Sequence, residues 1–331
     1  MHRRRFIAAL AGTPLVAWAS PARADDQSRL KAVTQHEARG TTFWLWLDSS
    51  PFPAESGGYR DDTVIVYVPA HFRYDEEDDG GVAALVHFHG HNTTAERAMK
   101  AHELREQLAD SRQNAVLIVP QLALMAADSA CGKLEAAGGF ARLVREAITT
   151  AAREGHSMLG NARYPIHARP STVCVSAHSG GYHAAACALK NGGLDIRETY
   201  LFDSLYAEAD VFGDWVKARK GAPLHRRHKL VSFYTEGATT DANSSALRAD
   251  LDKSGIVTAS ELQEGEMSRH DMSHAQAVFV RTSLYHSNVA WETNALRDCL
   301  YASALPRHIS SRWFRHKDDA RLIERRPSDK K

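Results

Sequence analysis

Residues 172–181 read Thr-Val-Cys-Val-Ser-Ala-His-Ser-Gly-Gly. The first six form a β-rich run, and a helix-like segment begins at Gly181 and continues to Lys190. A strand that passes this abruptly into a helix strains the backbone of the residue at the turn. It also crowds the residues two before and two after, so these must be small. Ala177 and Gly181 meet that demand around Ser179. Such a turn lifts the serine oxygen above the sheet. It leaves the backbone N–H of Gly180 at a helix start, where the peptide dipoles favour developing negative charge.

Outward from this turn the chain alternates between two periodicities. Strand-like runs fall at Thr41–Leu47, Thr63–Pro69, Val82–Phe88, Ala115–Pro120, Thr172–Ala177, Thr199–Asp203, Lys229–Thr235 and Ala277–Leu284. Helix-like patterns fall at Thr94–Ser111, Gly139–Glu154, Gly181–Lys190, Val211–Lys217, Ser244–Leu251 and Ala290–Ala302. Near-continuous apolar strands alternating with amphipathic helices predict an α/β fold, with a mostly parallel, eight-stranded sheet covered by helices on both faces. Ser179 then follows the fifth strand.

Small-x-Ser-x-small at that place resembles the Gly-x-Ser-x-Gly turn of the α/β-hydrolase superfamily, with Ala177 in place of the first glycine. The resemblance spans Thr41–Ala304, in strand order and motif position. It implies an α/β-hydrolase fold and a serine hydrolase in which Ser179 is the nucleophile. Phe88-His89-Gly90-His91-Asn92 follows the third strand, where the superfamily's His-Gly loop supplies a second oxyanion N–H. The matching donor is the backbone of His91 or Asn92, beside that of Gly180.

A serine nucleophile needs a base, and the base needs an orienting acid. Such groups sit beyond the C-terminal ends of parallel strands. His286 directly follows the eighth strand and matches the superfamily's catalytic histidine, whereas His270 and His274 precede that strand. The acid is open among three residues. Asp203 ends the sixth strand, where some lipases carry the acid. Asp241 and Glu236 follow the seventh, which is the commoner place, and Asp241 is also suited to capping the next helix. The expected chemistry is acyl transfer from a carboxylic ester. An amide or peptide of the cell envelope, and a non-catalytic binding protein on the same scaffold, are the alternatives. Only about 25 residues separate Ser204 from Lys229, so no large lid is expected. The Leu122–Gly138 loop, with Leu124 and Met125, is expected to shape the acyl side of an open site that admits small or polymeric substrates.

No metal or organic cofactor is expected. His87, His89 and His91 alternate as strand neighbours would, but Gly90-His91-Asn92 stands where a metallohydrolase pattern requires Asp-His. Cys174 and Cys187 read as buried thiols, Cys131 and Cys299 are available to pair, and the spacings suggest no zinc site.

The ends differ from the middle. Arg3-Arg4-Arg5-Phe6-Ile7, an apolar stretch to Ala19, and Ala22-Arg23-Ala24 resemble a twin-arginine export signal with its cleavage site. Export to the periplasm or medium of a bacterium follows, with residues 1–24 removed and 25–304 forming the catalytic domain. The 331-residue chain carries 41 Lys+Arg and 40 Asp+Glu, so its bulk charge shows no nucleic-acid footprint. No other apolar run approaches membrane-spanning length. Residues 305–331 are basic and polar, and predict a partly disordered tail.

Overall fold

The computed structural model describes residues 29–55, 58–74, 81–126, 129–159, 167–263, 265–307 and 315. The proposed signal segment and nearly all of the basic tail lie outside them. The strands in chain order are β1 (Arg29–Glu37), β2 (Gly40–Trp46), β3 (Thr63–Pro69), β4 (Gly81–Phe88), β5 (Ala115–Pro120), β6 (Arg169–His178), β7 (Ile196–Phe202), β8 (Lys229–Thr235), β9 (Thr258–Glu261) and β10 (Ala277–Thr282). They form one sheet in the order β1-β2-β3-β5-β4-β6-β7-β8-β10-β9. β3 runs antiparallel to β2 and β5, and β1 antiparallel to β2. Every pairing from β5 across to β9 is parallel. This is the α/β-hydrolase arrangement that the turn at Ser179 implied.

Among the described residues the sheet has ten strands rather than the expected eight. The two additions are its edges. β1 mixes charged and apolar residues without clean alternation, and β9 has four residues, too few for a periodic signal.

The helices are α1 (Ala95–Ala101), α2 (Leu104–Ser111), α3 (Gly139–Leu159), α4 (Tyr182–Asn191), α5 (Ala209–Lys217), α6 (Thr239–Lys253), α7 (Arg269–His274) and α8 (Ala295–Tyr301). The single helix expected over Thr94–Ser111 is two. Thr94 caps α1 through its side chain, and Glu103 breaks the run by adopting a left-handed conformation at φ 50°.

Alternate residues of β2 to β8 and of β10 enter separate cores. Val66, Val86, Val175 and Leu201 pack with α3, α4, α5 and α6, including Phe140, Ala185, Phe212 and Leu247. Ile65, Leu85, Cys174 and Tyr200 pack on the opposite face with α1, α2 and α8, including Met99, Leu108 and Leu296. Each fully buried aliphatic or aromatic side chain contributes about 1.5–3 kcal/mol. Both faces are therefore held strongly, and the C-terminal strand ends are presented as a rigid edge. Between β7 and β8 the only helix is α5, so no large lid stands over that edge. No helix among the described residues is long and apolar enough to cross a membrane.

Candidate active site

Because β4, β6, β7, β8 and β10 run parallel, the segments after them emerge on one edge. Ser179 leaves β6 at φ 55°, a left-handed conformation that a residue with a side chain adopts at real cost. Close packing enforces it. A methyl group on Gly181 would lie 2.4 Å from the carbonyl oxygen of Phe88, and one on Gly90 would lie 2.6 Å from Ser179 Cβ. Ser204, just after β7, donates its hydroxyl to the Ser179 carbonyl at 2.7 Å, fixing the turn from the other side.

His286 follows β10 at the start of a short 3-10 turn (His286–Asn288). Its Nδ1 lies 2.6 Å from Asp203 Oδ2. With Nδ1–H donated to the carboxylate, Nε2 carries the lone pair and is the basic nitrogen. The pair is asymmetric in exposure: the His286 side chain is 42% exposed and that of Asp203 only 2%. Tyr206 places its hydroxyl 3.5 Å from the same Nδ1.

Asp203 is buried yet fully satisfied. The Thr235 N–H and hydroxyl each donate to it at 3.1 Å, and the Thr240 hydroxyl donates as well. Burial by itself would raise the carboxyl pKa. The hydrogen bonds from His286, Thr240 and Thr235 outweigh it and hold the group below its ordinary value. The other two acid candidates lie elsewhere. Asp241 folds back within its own turn to accept from the Gly237 N–H at 2.9 Å, and Glu236 pairs with Arg281 at 3.3 Å. Thr235 and Thr240 escaped the sequence reading, although they occupy the stretch where the acid was sought. There they donate to an acid carried by the preceding strand.

The loop after β4 is held by His89. Its Nδ1 donates to the Gly90 carbonyl at 2.8 Å, and its Nε2 accepts from the Leu122 N–H at 2.9 Å. The Asn92 N–H is committed to the Leu124 carbonyl at 2.7 Å, which removes Asn92 as an oxyanion donor. The His91 N–H has no such partner among the described residues. A methyl on Gly180 would come within 3.4 Å of the His91 nitrogen and 3.2 Å of Ser129 Oγ. Gly90, His91, Ser129 and Gly180 together border a small hollow beside Ser179.

His87, His89 and His91 do not converge on one point. His91 is exposed, while His87 bonds Ser176 Oγ at 2.8 Å in the interior. His178, next to the serine, turns away from it. Its Nε2 donates to the His286 carbonyl at 2.9 Å, and its ring centroid lies 4.7 Å from that of His286. His102 stacks edge-on against His178 at 4.5 Å, and His87 against His102 at 5.7 Å, completing a buried column of imidazoles behind His286. Cys131 and Cys299 cannot meet, because they lie in the cores on opposite faces of the sheet.

Around this edge four large apolar side chains are exposed: Leu124, Met125, Tyr206 and Tyr285. A broad groove lies away from Ser179, between β2 and α3, lined by Asp48, Lys133, Arg142 and Glu146.

No family model matches the sequence, and no curated protein matches it. Among solved structures the chain is similar to a feruloyl esterase module from Clostridium thermocellum, at 10% identity over 84% of this chain and 93% of that one, with a TM-score of 0.49. It is similar to carboxyl esterase 2 of the mycorrhizal fungus Tuber melanosporum, at 13% identity over 82% and 89%, with a TM-score of 0.43. It is also similar to an S-formylglutathione hydrolase of Agrobacterium tumefaciens, at 12% identity over 76% and 89%, with a TM-score of 0.40.

Proposed function

We propose that this chain is a serine hydrolase that cleaves carboxylic esters through an acyl-enzyme. The observation that carries the reading is the left-handed Ser179 at a strand-to-helix turn, on the same edge of the sheet as a His286–Asp203 pair whose acid is buried and fully hydrogen-bonded. A strained serine has a reason to persist where the turn aims its oxygen at a substrate.

His286 Nε2 accepts the Ser179 proton as Oγ attacks the ester carbonyl. Asp203 holds the imidazole in the tautomer that leaves Nε2 basic, and stabilises the imidazolium that forms. The carbonyl oxygen becomes an oxyanion between the N–H groups of Gly180 and His91. Each such donor contributes about 10²–10³ in rate where it is preorganised. His286 then hands its proton to the alcohol leaving group. In the second half-reaction it activates water against the acyl-enzyme, and Ser179 is regenerated. Every step uses this chain's own groups. Exposed Tyr206, Tyr285, Leu124 and Met125 favour esters with an apolar or aromatic portion, which the uncovered edge admits without a lid.

Rapid mixing with p-nitrophenyl acetate tests the reading. An initial burst of nitrophenol equal to the enzyme concentration, absent from Ser179→Ala, supports it. Folded wild-type protein that turns over neither this ester nor the corresponding anilide sinks it. In the same reading the protein acts outside the cytoplasm, and the mature chain isolated from a twin-arginine-competent bacterial host should begin near Asp25. Retention of Met1 in the cytoplasm would remove the export reading and leave the chemistry untouched.

A further inference from the structure

A second constellation lies on the far side of α4, outside the serine site. Cys131 precedes a short 3-10 turn (Gly132–Glu135) that packs on α4. His183 and Cys187 are four residues apart on α4, so they share one face of the helix. One ligand atom from each of Cys131, His183 and Cys187 lies within 4.8 Å of the others. His183 Nε2 is 3.7 Å from Cys187 Sγ. Ligand atoms around a tetrahedral zinc stand about 3.5–3.8 Å apart, given Zn–S of about 2.3 Å and Zn–N of about 2.0 Å. Glu135 brings a carboxylate oxygen within 4.0 Å of the same Nε2.

The imidazole is also prepared from behind. His183 Nδ1 lies 3.0 Å from Glu208 Oε2, so it donates there while Nε2 faces the Cys187 thiol. A carboxylate behind a histidine, fixing its tautomer and raising its basicity, is the usual outer support of a metal ligand. We propose that Cys131, His183 and Cys187, with Glu135 as the fourth donor, form a tetrahedral site for a divalent transition metal of the zinc type. Two thiolates and an imidazole are soft and borderline donors that select such an ion over magnesium or calcium. Binding releases the two thiol protons to solvent. The ion joins the Leu122–Gly138 loop to α4, the helix that begins beside Ser179. It thereby orders the segment whose Ser129 borders the hollow beside that serine. The inference does not depend on the esterase reading, because a metal here needs only these four side chains.

The test is a titration of the reduced full-length protein with cobalt(II) under nitrogen. One equivalent should develop thiolate-to-cobalt charge-transfer absorption and the strong visible bands of tetrahedral cobalt, and zinc should abolish both. Cys187→Ser should lose most of the charge-transfer intensity. His183→Gln, at a half-buried position, should bind at least about tenfold more weakly, because a metal ligand is gone. His270→Ala, a histidine remote from the cluster, should titrate like the wild type. Zinc should raise the urea midpoint of the wild type by more than that of His183→Gln. Folded, reduced protein that develops no thiolate-to-cobalt band overturns the proposal, as does a band that His183→Gln and Cys187→Ser leave unchanged. Preferential formation of a Cys131–Cys187 disulfide when air and zinc are supplied together also overturns it.

Discussion

Acidification between pH 6.5 and 4 should unfold this protein through histidines rather than carboxylates. His87, His89, His102 and His178 are all buried, at 0, 1, 5 and 7% exposure. Burial is the largest influence on each and disfavours the charged ring. It lowers His87 and His102 well below 6.5, and brings His89 and His178 down to about 4. In the unfolded chain the same rings titrate near 6.5. As the pH falls through this window the unfolded state takes up protons that the native state refuses. Stability is therefore complete above about 6.5 and is lost on the way to 4. A shift from 6.5 to about 4 corresponds to about 3 kcal/mol for each of His89 and His178, or about 6 kcal/mol together. That matches the lower end of the 5–15 kcal/mol that typically holds a domain folded, before His87 and His102 add their share. Urea unfolding at a series of pH values should show a flat maximum above neutrality. Below it the unfolding free energy should fall by about 2 kcal/mol per pH unit from those two residues alone. His178→Gln keeps an N–H donor for the His286 carbonyl but cannot ionise, so its slope near pH 5 should be shallower by about 1 kcal/mol per unit. Stability that holds level from pH 7 down to 4.5 would refute the reasoning, and so would a slope indifferent to His178→Gln.

Asp203→Asn should leave the fold intact and lower kcat by about 10³–10⁴, because the amide no longer enforces the productive imidazole tautomer. Asp241→Asn and Glu236→Gln should stay within about twofold of the wild type, since surface changes away from the site cost little; steady-state ester kinetics on the three variants separates the acids. Gly90→Ala would place a methyl 2.6 Å from Ser179 Cβ and displace the serine. It should reduce kcat by about 100-fold or more with an unchanged circular dichroism spectrum. Thr240→Val removes one donor from the buried Asp203 carboxylate and should cost about 1.5–3 kcal/mol in urea unfolding, as expected for a hydrogen bond to a charged group.

The parts of this molecule that follow from local chemistry are legible in its sequence. Small residues flank Ser179, and at Gly181 not even a methyl fits; that steric rule locates the serine without a structure. The apolar runs of β4, β6, β7, β8 and β10 are legible because burial on both faces leaves few polar positions in their centres. The place of His286 follows from strand direction alone. What escapes depends on contacts between distant segments. Asp203 ranks only narrowly ahead of Asp241 and Glu236 until Thr235, Thr240 and His286 are seen around the first, the Gly237 N–H beside the second and Arg281 beside the third. Asn92 and His91 are equivalent donors until Leu124 is seen to take one of the two N–H groups. The helix break at Glu103 has no glycine or proline to announce it. Cys131 faces Cys187 and not Cys299 because the sheet separates the latter pair. The edge strands β1 and β9 carry too little periodicity to register.

The central claim is that Ser179 is an activated nucleophile. A fluorophosphonate probe read by intact mass tests it most directly, because the probe labels only a serine whose proton is drawn away as the oxygen attacks. The account predicts one adduct on the wild-type chain, none on Ser179→Ala, and much slower labelling of Asp203→Asn than of Asp241→Asn. A folded wild-type protein that takes up no label, or one that labels equally when Ser179 is alanine, would contradict it.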